Sequence, residues 1–239
     1  MSLIKTTTTL IMFCLFITTI AYAKTAEDYL KAGNTKYELK DYKGAIKYYN
    51  KAIELNPNYA DAYLHRGVSK ASLQYYSGAI QDYNKAIELN PKYADAYLNR
   101  GAAKGALQNY KGEIQDYNKA IELNPNDHYA YTNRAAAKNS IQDYRGAIQD
   151  DNKAIELNPN FAEAYSNRAA TKILLGDLRA AIIDSNKAIE LDPKYADAYG
   201  NRGAAKILLG QKDKGCLDLS KAGELGFAEA YEAIKQYCN

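Results

Sequence analysis

The sequence predicts an all-α solenoid of antiparallel helix pairs, and three observations lead there. Prolines stand at Pro57, Pro91, Pro125, Pro159 and Pro193, 34 residues apart, each behind a Lys-Ala-Ile-Glu-Leu-Asn/Asp run. Residues 59–92 and 93–126 are identical at 25 of 34 positions without a gap, and a fixed period of this length marks stacked repeats. The composition carries the same imprint: 23 tyrosines, four phenylalanines and no tryptophan among 239 residues.

Residues 1–23 stand apart from the repeats. Lys5 gives a positive start, Leu10 to Ile20 an apolar stretch interrupted by threonines, and Ala21-Tyr22-Ala23 a small-x-small exit. This is the layout of a cleaved secretory signal peptide, favoured over an uncleaved anchor because the stretch is short for a membrane span. A lipid-anchored Cys14 is disfavoured by the bulky Phe13 before it. The mature chain, 24–239, is therefore expected to be exported, periplasmic or secreted, with no stable membrane span.

Each period divides into two helices. In the second copy Tyr63, Gly67 and Lys70 lie along a first helix from about Asp61 to Leu73. Ala79, Ile80, Tyr83, Ala86, Ile87 and Leu89 then give the 3/4 spacing of an amphipathic second helix. Asn90-Pro91 ends it, since proline lacks an amide donor and restricts its predecessor. Asp41, Asn109, Asp143 and Asp177 are placed to cap second helices, whereas Tyr75 and Gln211 are poor substitutes. No pair can bury its own apolar face, so neighbours must stack. Small residues at Gly67, Gly101, Ala135, Ala169 and Gly203, and alanines from Ala52 to Ala222, permit close helix approach.

Charge and chemistry exclude several classes. Lys plus Arg number 31 and Asp plus Glu 28, mixed along the chain, unlike the concentrated basic patch of a nucleic-acid binder. Two histidines and three cysteines leave no recurring metal-ligand motif and no cysteine-dense scaffold. His65 and His128 fall at different places in the period. No nucleophile elbow, phosphate loop or dinucleotide glycine run occurs. The reading is a non-enzymatic protein with no cofactor, no metal and no catalytic residues.

The pattern resembles the tetratricopeptide repeat, whose motif sets aromatic, large apolar, small, aromatic, Ala, aromatic, Ala and Pro residues at positions 4, 7, 8, 11, 20, 24, 27 and 32. In the second copy these read Tyr63, Arg66, Gly67, Lys70, Ala79, Tyr83, Ala86 and Pro91. The resemblance implies a right-handed superhelix with repeats at about 26–59, 60–93, 94–127, 128–161, 162–195 and 196–229, and a cap over 230–239. It also implies a protein or peptide partner in a concave groove lined by the first helices. Departures matter. Position 7 is arginine in five copies and position 11 lysine in all six; position 24 becomes Asp151 and Ser185, and Glu113 takes position 20.

Two surfaces are candidates. Position 6 reads His65, Asn99, Asn133, Asn167 and Asn201, which together with Asn34 could meet the backbone of an extended peptide. A chaperone-tail carboxylate clamp is not expected, because its lysine positions hold Leu30, Leu64, Glu27, Asp61 and Asp95. A charged double row pairs Arg66, Arg100, Arg134, Arg168 and Arg202 with Asp82, Asp116, Asp150, Asp184 and Asp218. It reads first as a structural network and second as a strip for an acidic partner. The position-4 tyrosines are expected in the inter-helix core. Cys216 and Cys238 are open to a disulfide, which an oxidising compartment favours, or to free thiols or intermolecular pairing. The leading function is an extracytoplasmic interaction scaffold; a self-associating envelope protein and a glycan-recognition module are the alternatives.

Overall fold

The computed structural model describes residues 24–238, so the signal-peptide reading of 1–23 lies outside the described residues. Thirteen helices and no strands occur among the described residues, in two compact units divided between Leu89 and Asn90. The first unit contains α1 (Ala26–Glu38), α2 (Tyr42–Leu55), α3 (Ala60–Ser72) and α4 (Tyr76–Leu89). The second contains α5 (Ala94–Ala106), α6 (Tyr110–Leu123), α7 (His128–Ser140), α8 (Tyr144–Leu157), α9 (Ala162–Leu174), α10 (Leu178–Leu191), α11 (Ala196–Leu208), α12 (Lys212–Glu224) and α13 (Glu229–Tyr237). Within each unit every first helix packs on its own second helix, and that second helix packs on the next first helix. The result is a solenoid of paired antiparallel helices.

Local chemistry sets the boundaries. Asp41, Asn109, Asp143 and Asp177 accept from the amides of Gly44, Gly112, Gly146 and Ala180 at 2.9–3.4 Å, while Gln211 makes no such bond. After each of the first five second helices the Asn or Asp before proline turns its side chain onto the amide two residues on, as in Asn56 to Asn58 at 3.1 Å. First helices end in a left-handed residue: Lys40, Gln74, Gln108 and Gln142 at φ 58–63°, then Gly176 and Gly210. The following amide closes onto the carbonyl five residues back at 2.9 Å, as in Asn109 to Lys104.

The core is built from small residues and a few large ones. The position-27 alanines, Ala52 through Ala222, are buried, as are Ala62, Ala96, Ala130, Ala164 and Ala198 near the first-helix starts. Among the described residues Tyr49, Tyr83 and Tyr117 are the buried aromatics, each lying against the glycine of its own first helix. A Cβ on Gly67 would fall 2.6 Å from the Tyr83 ring. Glu113 is accommodated in the same way, because a Cβ on Gly105 would meet its carboxyl at 2.5 Å.

The terminal helix α13 has nine residues and no side-chain cap. It is held to α12 by the Cys216–Cys238 disulfide, with the Cα atoms 5.8 Å apart, and by Tyr231 Oη donating to the Gly223 carbonyl at 3.3 Å.

Candidate interaction surface

The charged double row is a closed network. In each of repeats 2 to 6 the position-7 arginine donates from Nε and Nη2 to both oxygens of its aspartate, at 2.8–3.0 and 2.6–2.7 Å. The position-11 lysine reaches the same carboxylate at 2.6–2.8 Å. A third partner comes from the preceding repeat: Arg66, Arg134, Arg168 and Arg202 donate Nη1 to Asn50, Asn118, Asn152 and Asn186 at 2.6–2.8 Å. Tyr63, Tyr97, Tyr131, Tyr165 and Tyr199 lie beneath the guanidinium groups, 5.2–5.5 Å from ring centroid to Cζ. These position-4 tyrosines are half-buried stacking partners of arginine, and the inter-helix core aromatic is at position 24.

Arginine and lysine at the positions where the family carries apolar residues are therefore answered inside each of repeats 2 to 6. The aspartates are nearly buried, and two cations plus planar, bidentate geometry compensate their desolvation. The row is not a free basic strip. The Asn50-type contact was missing from the sequence reading, though the recurrence of Asn50, Asn118, Asn152 and Asn186 every 34 residues was its signal.

The candidate groove residues divide. Asn34, at position 9 of repeat 1, accepts through Oδ1 from Tyr49 Oη at 2.8 Å, and the position-6 His65 stacks on the Tyr49 ring at 5.9 Å. Asn99 Nδ2 donates to the Asp95 carbonyl of its own helix at 2.8 Å, and Asn201 Nδ2 bridges to Ser166 O and Oγ at 3.1 and 3.0 Å. Asn133 is exposed and Asn167 half-exposed, and among the described residues neither side-chain amide makes a hydrogen bond. They occupy equivalent positions on α7 and α9, two first helices in contact. His128 is engaged with Asn158 at 3.2 Å and with the rings of Tyr129 and Phe161.

Among the described residues one buried carboxyl stands without a hydrogen-bond partner. Both carboxyl oxygens of Asp151, which replaces the buried tyrosine in repeat 4, lack a hydrogen-bond partner. Burial pushes its pKa up to about 8, against the opposing pull of Arg168 and with the repulsion of Asp150, Asp184 and Glu163 adding to the rise. No group of three or more His, Cys, Asp or Glu side chains suited to a metal occurs among the described residues. No helix among them is long and apolar enough to cross a membrane.

Family profiles described as TPR repeat match residues 33–74 and 70–108, and others described as tetratricopeptide repeat match 94–127, 116–149, 152–183 and 186–216. The chain belongs to the tetratricopeptide-repeat family, as an all-α solenoid of about six repeat units. No curated protein matches it in sequence. Among solved structures it is similar to MamA, at 26% identity and TM-score 0.63 over 72% of this chain and 93% of that one. It is also similar to YrrB, described as a TPR protein with an unusual peptide-binding site, at 25% identity and TM-score 0.60 over 78% and 97% of the two chains. A tetratricopeptide repeat protein from Parabacteroides merdae shares the fold at 23% identity, TM-score 0.73, over 93% and 88%. Proteins of this fold are interaction scaffolds and adaptors rather than enzymes.

Proposed function

We propose that the chain is an extracytoplasmic scaffold that binds an extended peptide or protein segment across the first helices of its second unit. The observation that carries this reading is the pair Asn133 and Asn167, whose amides are unspent on consecutive first helices, while Asn99 bonds its own helix backbone and Asn201 bonds the neighbouring first helix. An asparagine amide both donates and accepts, so two of them one repeat apart can hold the backbone of an extended partner. A preformed surface also lowers the ordering cost of binding. The peptide-binding site that YrrB is described as having supports a peptide as the partner class. The leader-like segment supports a place outside the cytoplasm.

The test is affinity capture from the native cell envelope and culture medium, with the wild-type chain and Asn133→Ala/Asn167→Ala as parallel baits. Circular dichroism checks that the variant folds. A partner retained by the first and lost by the second is expected; equal capture by both would sink the assignment of these asparagines.

A further inference from the structure

Repeat 1 breaks the charge pattern that the other five keep. It has Ala32 where they have arginine and Tyr48 where they have aspartate. Lys36 therefore lacks the buried carboxylate that holds Lys70, Lys104, Lys138, Lys172 and Lys206. Its amine lies 3.2 Å from Asp41, with 40% and 46% of the two side chains exposed. Asp41 is also engaged as the cap of α2.

Lys51 departs in a second way. Its equivalents Lys85, Lys119, Lys153, Lys187 and Lys221 each pair with the glutamate three residues on at 2.6–3.0 Å. Lys51 makes no ion pair with Glu54 and lies instead 5.5 Å over the Tyr29 ring. Lys47 stands where the next three repeats carry Gln81, Gln115 and Gln149. All three lysines, with Asp41, Gly44 and Tyr48, line one cleft of about 350 Å³ in the first unit. Three ammonium groups against one carboxylate leave it at 3 − 1, or +2.

We propose that this cleft is an anion-recognition site that takes the carboxylates of an acidic peptide segment. Lys47 and Lys51 project from successive turns of α2 and Lys36 from α1, giving three separate point charges rather than one planar fork. That arrangement suits several carboxylates spaced along a chain. A single phosphate is usually enclosed by backbone amides or arginine, and the cleft lining supplies neither an arginine nor a glycine-rich loop. The site uses none of the asparagines of the second unit, so each can fail without the other.

The experiment is fluorescence anisotropy of a labelled hexaglutamate peptide against the full chain at low ionic strength. Lys47→Glu/Lys51→Glu removes the site, and Lys111→Glu/Lys194→Glu makes the same charge change at exposed positions of the second unit. We expect saturable binding, weakened about tenfold or more by the first variant and by added salt. The second variant and Asn133→Ala/Asn167→Ala should stay within about twofold of wild type. Lys47→Gln, the residue found in the neighbouring repeats, provides a variant certain to suit the helix and should weaken binding about threefold. No saturable binding of hexaglutamate, or equal loss in both charge-reversed variants, would each overturn the proposal.

Discussion

In the first unit Tyr49 and Tyr83 fill a place that Asp151 and Ser185 hold in repeats 4 and 5. The glycine facing each tyrosine changes in step: Gly33, Gly67 and Gly101 accompany the rings, whereas Ala135 and Ala169 accompany Asp151 and Ser185. A ring needs the Cβ-free surface opposite it; without the ring, repeats 4 and 5 carry a methyl group there, while repeat 6 keeps Gly203 against Leu219. Side chains join neighbouring first helices at closer range where the ring is absent than in the first unit, where Tyr37 Oη and Ser72 Oγ are 3.5 Å apart. Asn139 Nδ2 donates to Thr171 Oγ1 at 2.7 Å, and Asn201 reaches Ser166. Buried atoms without a partner occur in both arrangements, Ser69 Oγ in the first and Thr132 Oγ1, Asn139 Oδ1, Ser185 Oγ and both oxygens of Asp151 in the second, and the unpaired carboxyl is the costliest in a low dielectric. The lesson is that positions 8 and 24 pack as a two-residue unit, so neither residue can be read alone.

The largest expected effect comes from removing a ring. Tyr83→Ala should cost about 3–5 kcal/mol in urea unfolding, while Ser185→Ala, which deletes an unpartnered hydroxyl, should change stability by less than about 1 kcal/mol. Filling the glycine side comes next. Gly67→Ala should cost about 1–3 kcal/mol by overpacking, and adding Tyr83→Ser to it should cost less than the sum of the two single changes, read as a double-mutant cycle.

The unpartnered acid gives a pH test. The folded pKa of Asp151, about 8, lies above its ordinary value of 3.8. This group's contribution to stability is therefore fully present below about pH 4 and is lost as pH rises to about 8. Asp151→Asn should flatten that decline in thermal melts taken across the range, and should gain about 1–3 kcal/mol above pH 8. A decline of the same slope in the variant would assign it to other groups. The smallest effect is at the first-helix ends: Gln108→Gly relieves a non-glycine residue at φ 61° and should add about 0.5–1 kcal/mol.

Period, helix pairing and the aspartate and asparagine caps were legible because each depends on residues a few positions apart and is copied several times. The positive φ at Gln74, Gln108 and Gln142 was not, since only the last copies show glycine there. The coupling of Gly67 to Tyr83 also escaped. It spans 16 residues and two helices, and a small residue in a helix suggests a close neighbour without saying which one. The asparagine row was visible as a row. Its division into spent amides at Asn34 and Asn201 and unspent ones at Asn133 and Asn167 depends on Tyr49 and Ser166, which single positions in a repeat alignment do not reveal.

That division is open to direct observation. With the chain labelled with nitrogen-15 and the captured partner titrated in, side-chain amide resonances of the asparagines report each group separately. The signals of Asn133 and Asn167 should shift on binding, while those of Asn34 and Asn201, already committed within the fold, stay in place. Shifts confined to Asn34 and Asn201, or a bound partner that leaves all four signals unmoved, would contradict the placement of the interaction surface.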